Sequence, residues 1–298
     1  MDYRLYRLDF YNGVRFGKGT LDRTDITFHA DTLFSALYQE AMKLGKQNQF
    51  HDAVSAGRIL FSDGFPYAGK TFYLPNPVRD GEYIPAELLP AAMESDEWEQ
   101  SREDMVNLGK YQMKVSAAIR GQEEPQPYRV KNFYFNEGNG LYIIVRSENE
   151  ESRYLFEELL DNLQYTGLGG RKSSGLGRFE YMGCEVSDFF REHLEKRSDR
   201  NILLSTAFPR SDELELVLRS ADYKLIRRSG FIDTKIPELQ TLRKKDRYVF
   251  APGSCFFMGT FKGRLIEEAE EFWNEYDEDY VTDSHPVYQY EKALFLGI

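Results

Sequence analysis

Residues 167–179 read GLGGRKSSGLGRF, five glycines (Gly167, Gly169, Gly170, Gly175, Gly177) set around Arg171, Lys172, Ser173 and Ser174. Glycine tolerates positive φ and lets another molecule approach the backbone closely. Successive N–H groups in such a turn form a concave anion site. Two cations and two hydroxyls at the tip suit a phosphodiester. The implied ligand is a phosphate carrier.

Spacing rules out two common phosphate loops. A Walker loop needs Lys and Ser/Thr directly after its second spaced glycine, whereas Leu176 and Gly177 follow Gly175. A dinucleotide fingerprint starting at Gly167 needs a third glycine where Lys172 stands. The context is also reversed. A helix-periodic segment (Leu155, Phe156, Leu159, Leu160, Leu163) precedes the loop and a strand-like run, Arg178 to Met182, follows it.

The elements that must position this loop form an α+β chain. Tyr3–Phe10 reads as a strand, 11–27 as irregular, and Asp31–Gly45 as a helix with Asp31 as N-cap. Leu60–Phe65 reads as a strand. Pro66, Pro75, Pro77, Pro85 and Pro90 then predict interrupted structure. A short helix is expected within Trp98–Ser116. Val115–Ile119 and Tyr128–Phe135 suit two arms of a projecting hairpin. Leu141–Arg146 is a strand, Arg153–Leu163 a helix, and a strand follows the glycine loop to about Val186.

This gives β-α-β-β-α-β, a ferredoxin-like (RRM-like) unit over 1–187 with a long insertion. After a charged helical connector at 188–199, a second, degenerate ferredoxin-like unit is expected over 200–298. Its strands are read at Ile202–Ala207, Tyr223–Arg227, Arg247–Ala251 and Gly259–Leu265.

Composition supports a folded core: 298 residues, 41% hydrophobic, with 22 Phe and 20 Tyr. No apolar run reaches membrane-span length, and Met1 opens directly on a strand pattern without a signal peptide. Two distant cysteines, Cys184 and Cys255, predict a reducing, cytoplasmic setting and no structural zinc. No cofactor or metal is expected. The net charge of −11 opposes indiscriminate nucleic-acid binding. Its distribution is uneven: nine acids and no base lie within 265–284, against eight bases and three acids within 224–247. This predicts a basic face for one partner and an acidic face for another.

Single-stranded RNA recognition requires backbone cations and flat surfaces for unstacked bases. Both recur: Phe16 beside Arg15 and Lys18, Phe179 beside Arg178, Phe231 beside Arg227 and Arg228, and Tyr248 beside Arg247. Lys244 and Lys245 extend the basic segment, and Ser254 after Gly253 suits a second small turn.

Three stretches carry a family resemblance: Phe28-His-Ala-Asp-Thr-Leu-Phe-Ser-Ala-Leu37, the run Leu163–Phe179, and Arg228-Ser229-Gly230-Phe231. In this order they resemble the RAMP superfamily of CRISPR RNA-binding proteins. The resemblance is to the type III-A (Csm) effector subunit that caps the crRNA 5′ end. It implies a non-catalytic protein that holds the repeat-derived 5′ handle in a cleft between its halves. The implied partners are the large polymerase/cyclase-like subunit and a neighbouring RAMP backbone subunit, with no membrane. The hairpin around Arg120, Tyr128, Arg129 and Lys131 would wedge the guide.

Two alternatives stand beside this. Related RAMP endoribonucleases use a histidine near the first helix, and His29 lies there, suited to acid–base chemistry, RNA contact or helix capping. A protein–protein adaptor would use the basic segment against an acidic partner.

Overall fold

The computed structural model of the protein describes residues 1–77, 81–94, 107–118, 126–196, 198–230, 244–257, 259–268 and 286–298. The chain forms two compact units, Met1–Glu195 and Lys196–Ile298.

The first unit contains β1 (Asp2–Phe10), β2 (Phe16–Lys18), β3 (Thr20–Asp25), α1 (Ala30–Lys43) and α2 (Gln47–Ser55). Next come β4 (Ile59–Phe61), β5 (Phe65–Ala68), β6 (Thr71–Pro75), β7 (Tyr83–Pro85), α3 (Leu89–Glu94), β8 (Gly109–Ala118) and β9 (Gln126–Phe135). It closes with β10 (Asn139–Ser147), α4 (Glu150–Thr166), β11 (Phe179–Cys184) and α5 (Asp188–Leu194).

Leu141–Val145 in β10 is buried throughout, as a continuous apolar run predicts for a central strand. It is flanked by β1 on one side and by β4 and β5 on the other, all antiparallel. With β11 outside β1, the order is β11-β1-β10-β5-β6-β7, with β4 also on β10. Leu33, Phe34 and Leu37 of α1 and Leu155, Phe156, Leu159, Leu160 and Leu163 of α4 are buried, the helical stripes read from the sequence. This is the expected ferredoxin-like arrangement, with β6 to β9 and α3 inserted between its second and third strands.

Several local expectations are corrected. Residues 16–25 form a short hairpin, β2–β3, rather than irregular chain. The prolines break structure only in part: Pro66 lies inside β5, and Pro77 follows β6 outside any element. Pro75 ends β6 and Pro85 ends the edge strand β7, and Pro90 lies in the first turn of α3, where a missing N–H is tolerated. Of the stretch 98–116 expected to hold a short helix, 109–116 belong to β8 and 98–106 lie outside the described residues. Strand β8 pairs with β9 from Gly109↔Phe135 to Ala118↔Gln126, a longer hairpin than expected. Helix α5, expected as a connector, falls within the first unit. Asp31 does not cap α1. The N-cap is His29, and the amide of Ala30 donates to Asp63 Oδ1 at 2.9 Å.

The second unit contains β12 (Asn201–Leu203), α6 (Ser211–Leu218), β13 (Ala221–Asp222), β14 (Leu225–Arg228), β15 (Arg247–Phe250), β16 (Cys255–Phe256), β17 (Gly263–Glu267), β18 (Tyr288–Lys292) and β19 (Phe295–Gly297). One sheet has the order β13-β16-β12-β19, and β14–β15 and β17–β18 are separate antiparallel pairs. Its core gathers Leu203, Ala207, Val217, Phe250, Phe256, Phe261 and Ala293. Phe250 contacts Phe256 edge-on at 5.3 Å, the favoured geometry for aromatic rings.

Candidate nucleic-acid interface

Helix α4 ends at Gly167, whose amide donates to the Leu163 carbonyl. Leu168 is fully buried and anchors the loop, and its amide donates to the Gly177 carbonyl at 2.9 Å. Gly177 has φ of +77°, and a Cβ there would drive into the Leu168 carbonyl oxygen. The loop therefore closes on itself at its base, which requires glycine.

Its flank is fastened to the connector between β1 and β2. The amide of Gly170 donates to Arg15 O at 2.8 Å and that of Gly177 to Gly13 O at 3.0 Å. Asn12 Nδ2 donates to Gly175 O at 3.3 Å. A Cβ on Gly169 would lie 2.7 Å from Arg15 O. The amides of Gly167, Leu168, Gly170, Ser174, Gly175, Leu176 and Gly177 are thus consumed within the fold. Gly167 and Gly177 are buried and shape the loop from within, so neither offers an amide to a ligand. Among the described residues, the amides of Gly169, Arg171, Lys172 and Ser173 have no acceptor.

The tip is one turn of 3₁₀ helix, Lys172–Ser174, with exposed Ser173 and Ser174. Arg171 enters it at φ of +64° and is the single non-glycine residue with positive φ among those described. Such strain persists where the surroundings over-determine it and is concentrated at functional sites. Here the Arg171 carbonyl accepts from Ser174 and Leu176.

The cations converge at this tip. Arg15 Nη1 lies against Gly170, directly before Arg171, and burial followed by the Arg171 charge lowers the Arg15 pKa. Arg15 Nη2 donates to Thr20 O at 3.0 Å, while its buried Nε has no partner. Among the described residues neither arginine pairs with a carboxylate. Arg171 Nη2 donates to the Tyr128 hydroxyl at 3.0 Å, which lowers the pKa of that phenol. This contact brings the inserted hairpin to the loop. Lys172 Nζ lies 3.5 Å from Gln39 Oε1 on α1. Arg129 is exposed on β9, and Lys131 Nζ sits 4.1 Å over the Tyr111 ring. Arg15 and Arg171, partly desolvated and without a carboxylate partner among the described residues, suit an anion.

Other expected residues have different environments. Phe16 and Phe179 are buried, at 5% and 1% exposure, and form part of the core rather than stacking surfaces. Lys18 ends β2. His29 Nδ1 lies 2.6 Å from Oδ2 of buried Asp63, so one carboxylate caps α1 and orients the imidazole. No sequence signal marked Asp63, which reaches His29 from beyond the end of β4. Arg120 and Phe231 lie outside the described residues.

In the second unit, Arg227 pairs with Asp246 at 3.4 Å. Lys244 Nζ donates to Tyr288 O at 2.6 Å, and Arg247 Nε to buried Glu268 at 3.2 Å. The Lys245 amide faces Glu268 Oε2 at 3.5 Å. Among the described residues of this basic run, the side chains of Arg227, Lys244 and Arg247 are therefore tied into the fold. Arg228 and Ser229 are half-buried. Ser254 is buried, and its hydroxyl donates to Ala251 O at 2.7 Å, so it braces a turn rather than facing a ligand. Tyr248 is 62% exposed opposite Arg227 on the β14–β15 pair.

A ferredoxin-like unit with a glycine loop between its second helix and last strand, carrying unpaired cations, defines a RAMP-type subunit of CRISPR complexes. Residues 196–298, which coincide with the second compact unit, match the family described as the CRISPR Csm4 C-terminal domain. The whole chain is 32% identical to the CRISPR system Cms protein Csm4 of Streptococcus thermophilus, covering 99% of that protein. It is 30% identical to the Mycobacterium tuberculosis protein of the same name, covering 98% of it. The chain belongs to the Csm4 family, a component of type III-A CRISPR systems.

Solved structures carry the same fold. A chain of the Csm3–Csm4 subcomplex of a type III-A CRISPR–Cas interference complex superposes with a TM-score of 0.67 at 15% identity, covering 99% of each chain. A chain of the Csm1–Csm4 cassette with cA4 superposes at 0.61 and 17% identity, covering 100% of this chain and 98% of the other. Among the described residues no helix is long and apolar enough to cross a membrane.

Proposed function

We propose that this protein is a non-catalytic RNA-binding subunit that holds the repeat-derived 5′ handle of the crRNA in a type III-A effector complex. The observation that carries this reading is the loop tip, where the amides of Arg171, Lys172 and Ser173 have no acceptor and where Arg15 and Arg171, among the described residues, have no carboxylate partner. A phosphate there would pair with these cations and accept from the amides of Lys172 and Ser173. The hairpin, tied in through Tyr128, would set the course of the strand.

The large subunit and a RAMP backbone subunit are the proposed protein partners. The Csm1–Csm4 and Csm3–Csm4 structures that share this fold support that choice. Both cysteines are unpaired, consistent with a reducing cytoplasm. The test is to purify the chain from cells expressing its CRISPR array, compare absorbance at 260 and 280 nm, and sequence the bound RNA. Enrichment of one repeat-derived 5′ end supports the reading, whereas protein free of RNA contradicts it.

Asp63 beside His29 favours a second reading, guide-RNA cleavage with His29 as acid or base. The non-catalytic reading expects His29→Ala to leave guide maturation at its normal rate in a reconstituted system. Loss of cleavage with RNA binding intact would select the nuclease.

A further inference from the structure

Two large aromatic side chains stand in solvent beside the glycine loop. Tyr11 is 67% exposed and Tyr165 is 72% exposed, well beyond what a core or strand position requires. Tyr11 follows directly on β1, and its amide donates to the Arg178 carbonyl at 3.1 Å, where the glycine loop passes into β11. Tyr165 lies in the last turn of α4, two residues before Gly167. A Cβ on Gly167 would lie 3.2 Å from Arg178 N, so Tyr165 and Tyr11 flank the same closure at the base of the loop, and desolvation followed by Glu180 raises the Tyr11 pKa, which leaves the phenol neutral at physiological pH. The Tyr11 hydroxyl reaches Glu180 Oε2 at 3.4 Å, and Tyr181 is held to Asp161 at 2.7 Å.

The local charge decides what such a surface can take. Glu180 and Asp9 both raise the Tyr11 pKa and Asp161 lies one helical turn before Tyr165, so the surroundings are acidic and make a poor seat for a phosphate. Carboxylates do accept from the exocyclic amines of a base, and a phenol ring presents a π face that any base can cover. Exposed Arg178, across from Tyr11, supplies a cation for the strand alongside.

Building on the RNA-binding reading above, we propose that Tyr11 and Tyr165 form a stacking platform for an unpaired nucleobase of the strand whose phosphate the glycine loop holds. One side of the loop then grips the backbone and the other receives a base. The platform tolerates every base and favours those bearing an amino group.

The test uses the full chain and single-stranded oligoribonucleotides of the repeat-derived 5′ end, with 2-aminopurine placed at successive positions. One position is expected to lose fluorescence on binding through stacking. Tyr11→Ala and Tyr165→Ala should each restore that fluorescence and weaken binding about tenfold. Tyr11→Phe and Tyr165→Phe should stay within about twofold, and the salt slope of binding should not change in any of the four.

Alanine variants that bind and quench as the parent does would overturn the platform. Equal losses in the phenylalanine variants would overturn stacking in favour of hydroxyl hydrogen bonds. A reduced salt slope would overturn it in favour of a phosphate contact. Arg15→Ala with Arg171→Ala separates the two levels. If these variants lose affinity and the tyrosine variants do not, the platform alone fails. If the parent does not bind the RNA, the reading beneath it fails as well.

Discussion

Arg171 donates through Nη2 to the Tyr128 hydroxyl at 3.0 Å, and its guanidinium lies 5.4 Å from the centre of the same ring. One side chain thereby joins the glycine loop to the hairpin inserted far from it in sequence. The contact holds the guanidinium in place before any ligand arrives. Tyr128→Phe keeps the ring and removes the acceptor. It is expected to weaken RNA binding by about 1 kcal/mol, near fivefold, with little change in Tm. Titration of the labelled handle RNA measures this, and tighter binding would mean that Tyr128 competes with the phosphate.

Two glycines of the loop separate strain from collision. Gly175 has φ of +79° with open space around it, the nearest atom being Asn12 Nδ2 at 4.0 Å. Gly175→Ala is expected to cost about 1 kcal/mol, the left-handed penalty alone. Gly177 combines φ of +77° with the Leu168 carbonyl directly in the path of a Cβ. Gly177→Ala is expected to cost about 3 kcal/mol or more, through overpacking and strain together. Urea unfolding of both variants checks the order, and equal losses would contradict it.

The position of the glycine loop between α4 and β11 was legible because five closely spaced glycines break the helical period and a strand pattern follows them. The stripes of α1 and α4 and the apolar run of β10 fixed the ferredoxin-like unit in the same way, through periodicity. What the loop's glycines do was not legible. Gly167 and Gly177 are needed for backbone packing inside the loop, and only coordinates distinguish that from an open amide. Asp63 capping α1 in place of Asp31 is a tertiary contact that overrides a local rule. Residues 109–116 carry charges and apolar residues that suit either helix or strand, and the long pairing with β9 settles them as strand. The bases of 224–247 promised an open surface, but Asp246, Glu268 and the Tyr288 carbonyl occupy three of them.

Asp63 supports two elements at once, as acceptor for the Ala30 amide and for His29 Nδ1. Asp63→Ala is expected to lower stability by about 2 kcal/mol through loss of the cap and of a buried hydrogen bond. Asp63→Asn should recover part of this, because an amide oxygen still caps the helix. Thermal unfolding of the two variants gives the comparison.

Glu213 predicts an acid-sensitive second unit. Burial would push its pKa up, but it accepts from the amides of Arg210 at 2.9 Å, Lys262 at 2.9 Å and Gly263 at 3.3 Å, and the net shift is downward. A folded pKa below the unfolded value of about 4.3 means stability that is present above that value. It is lost as pH falls through the folded pKa. Glu213→Gln should lower stability at pH 7 by about 1 kcal/mol and flatten the acid limb of the stability curve. A pH series of urea midpoints for parent and variant is the measurement, and parallel curves would contradict it.

The salt dependence of handle-RNA binding tests the central claim most directly, because each phosphate held by a cation adds to its slope. Arg15→Ala and Arg171→Ala are each expected to weaken binding and to reduce the slope of log K against log salt by roughly 0.7 per lost phosphate contact. An unchanged slope and affinity in both variants would contradict a phosphate grip at the glycine loop.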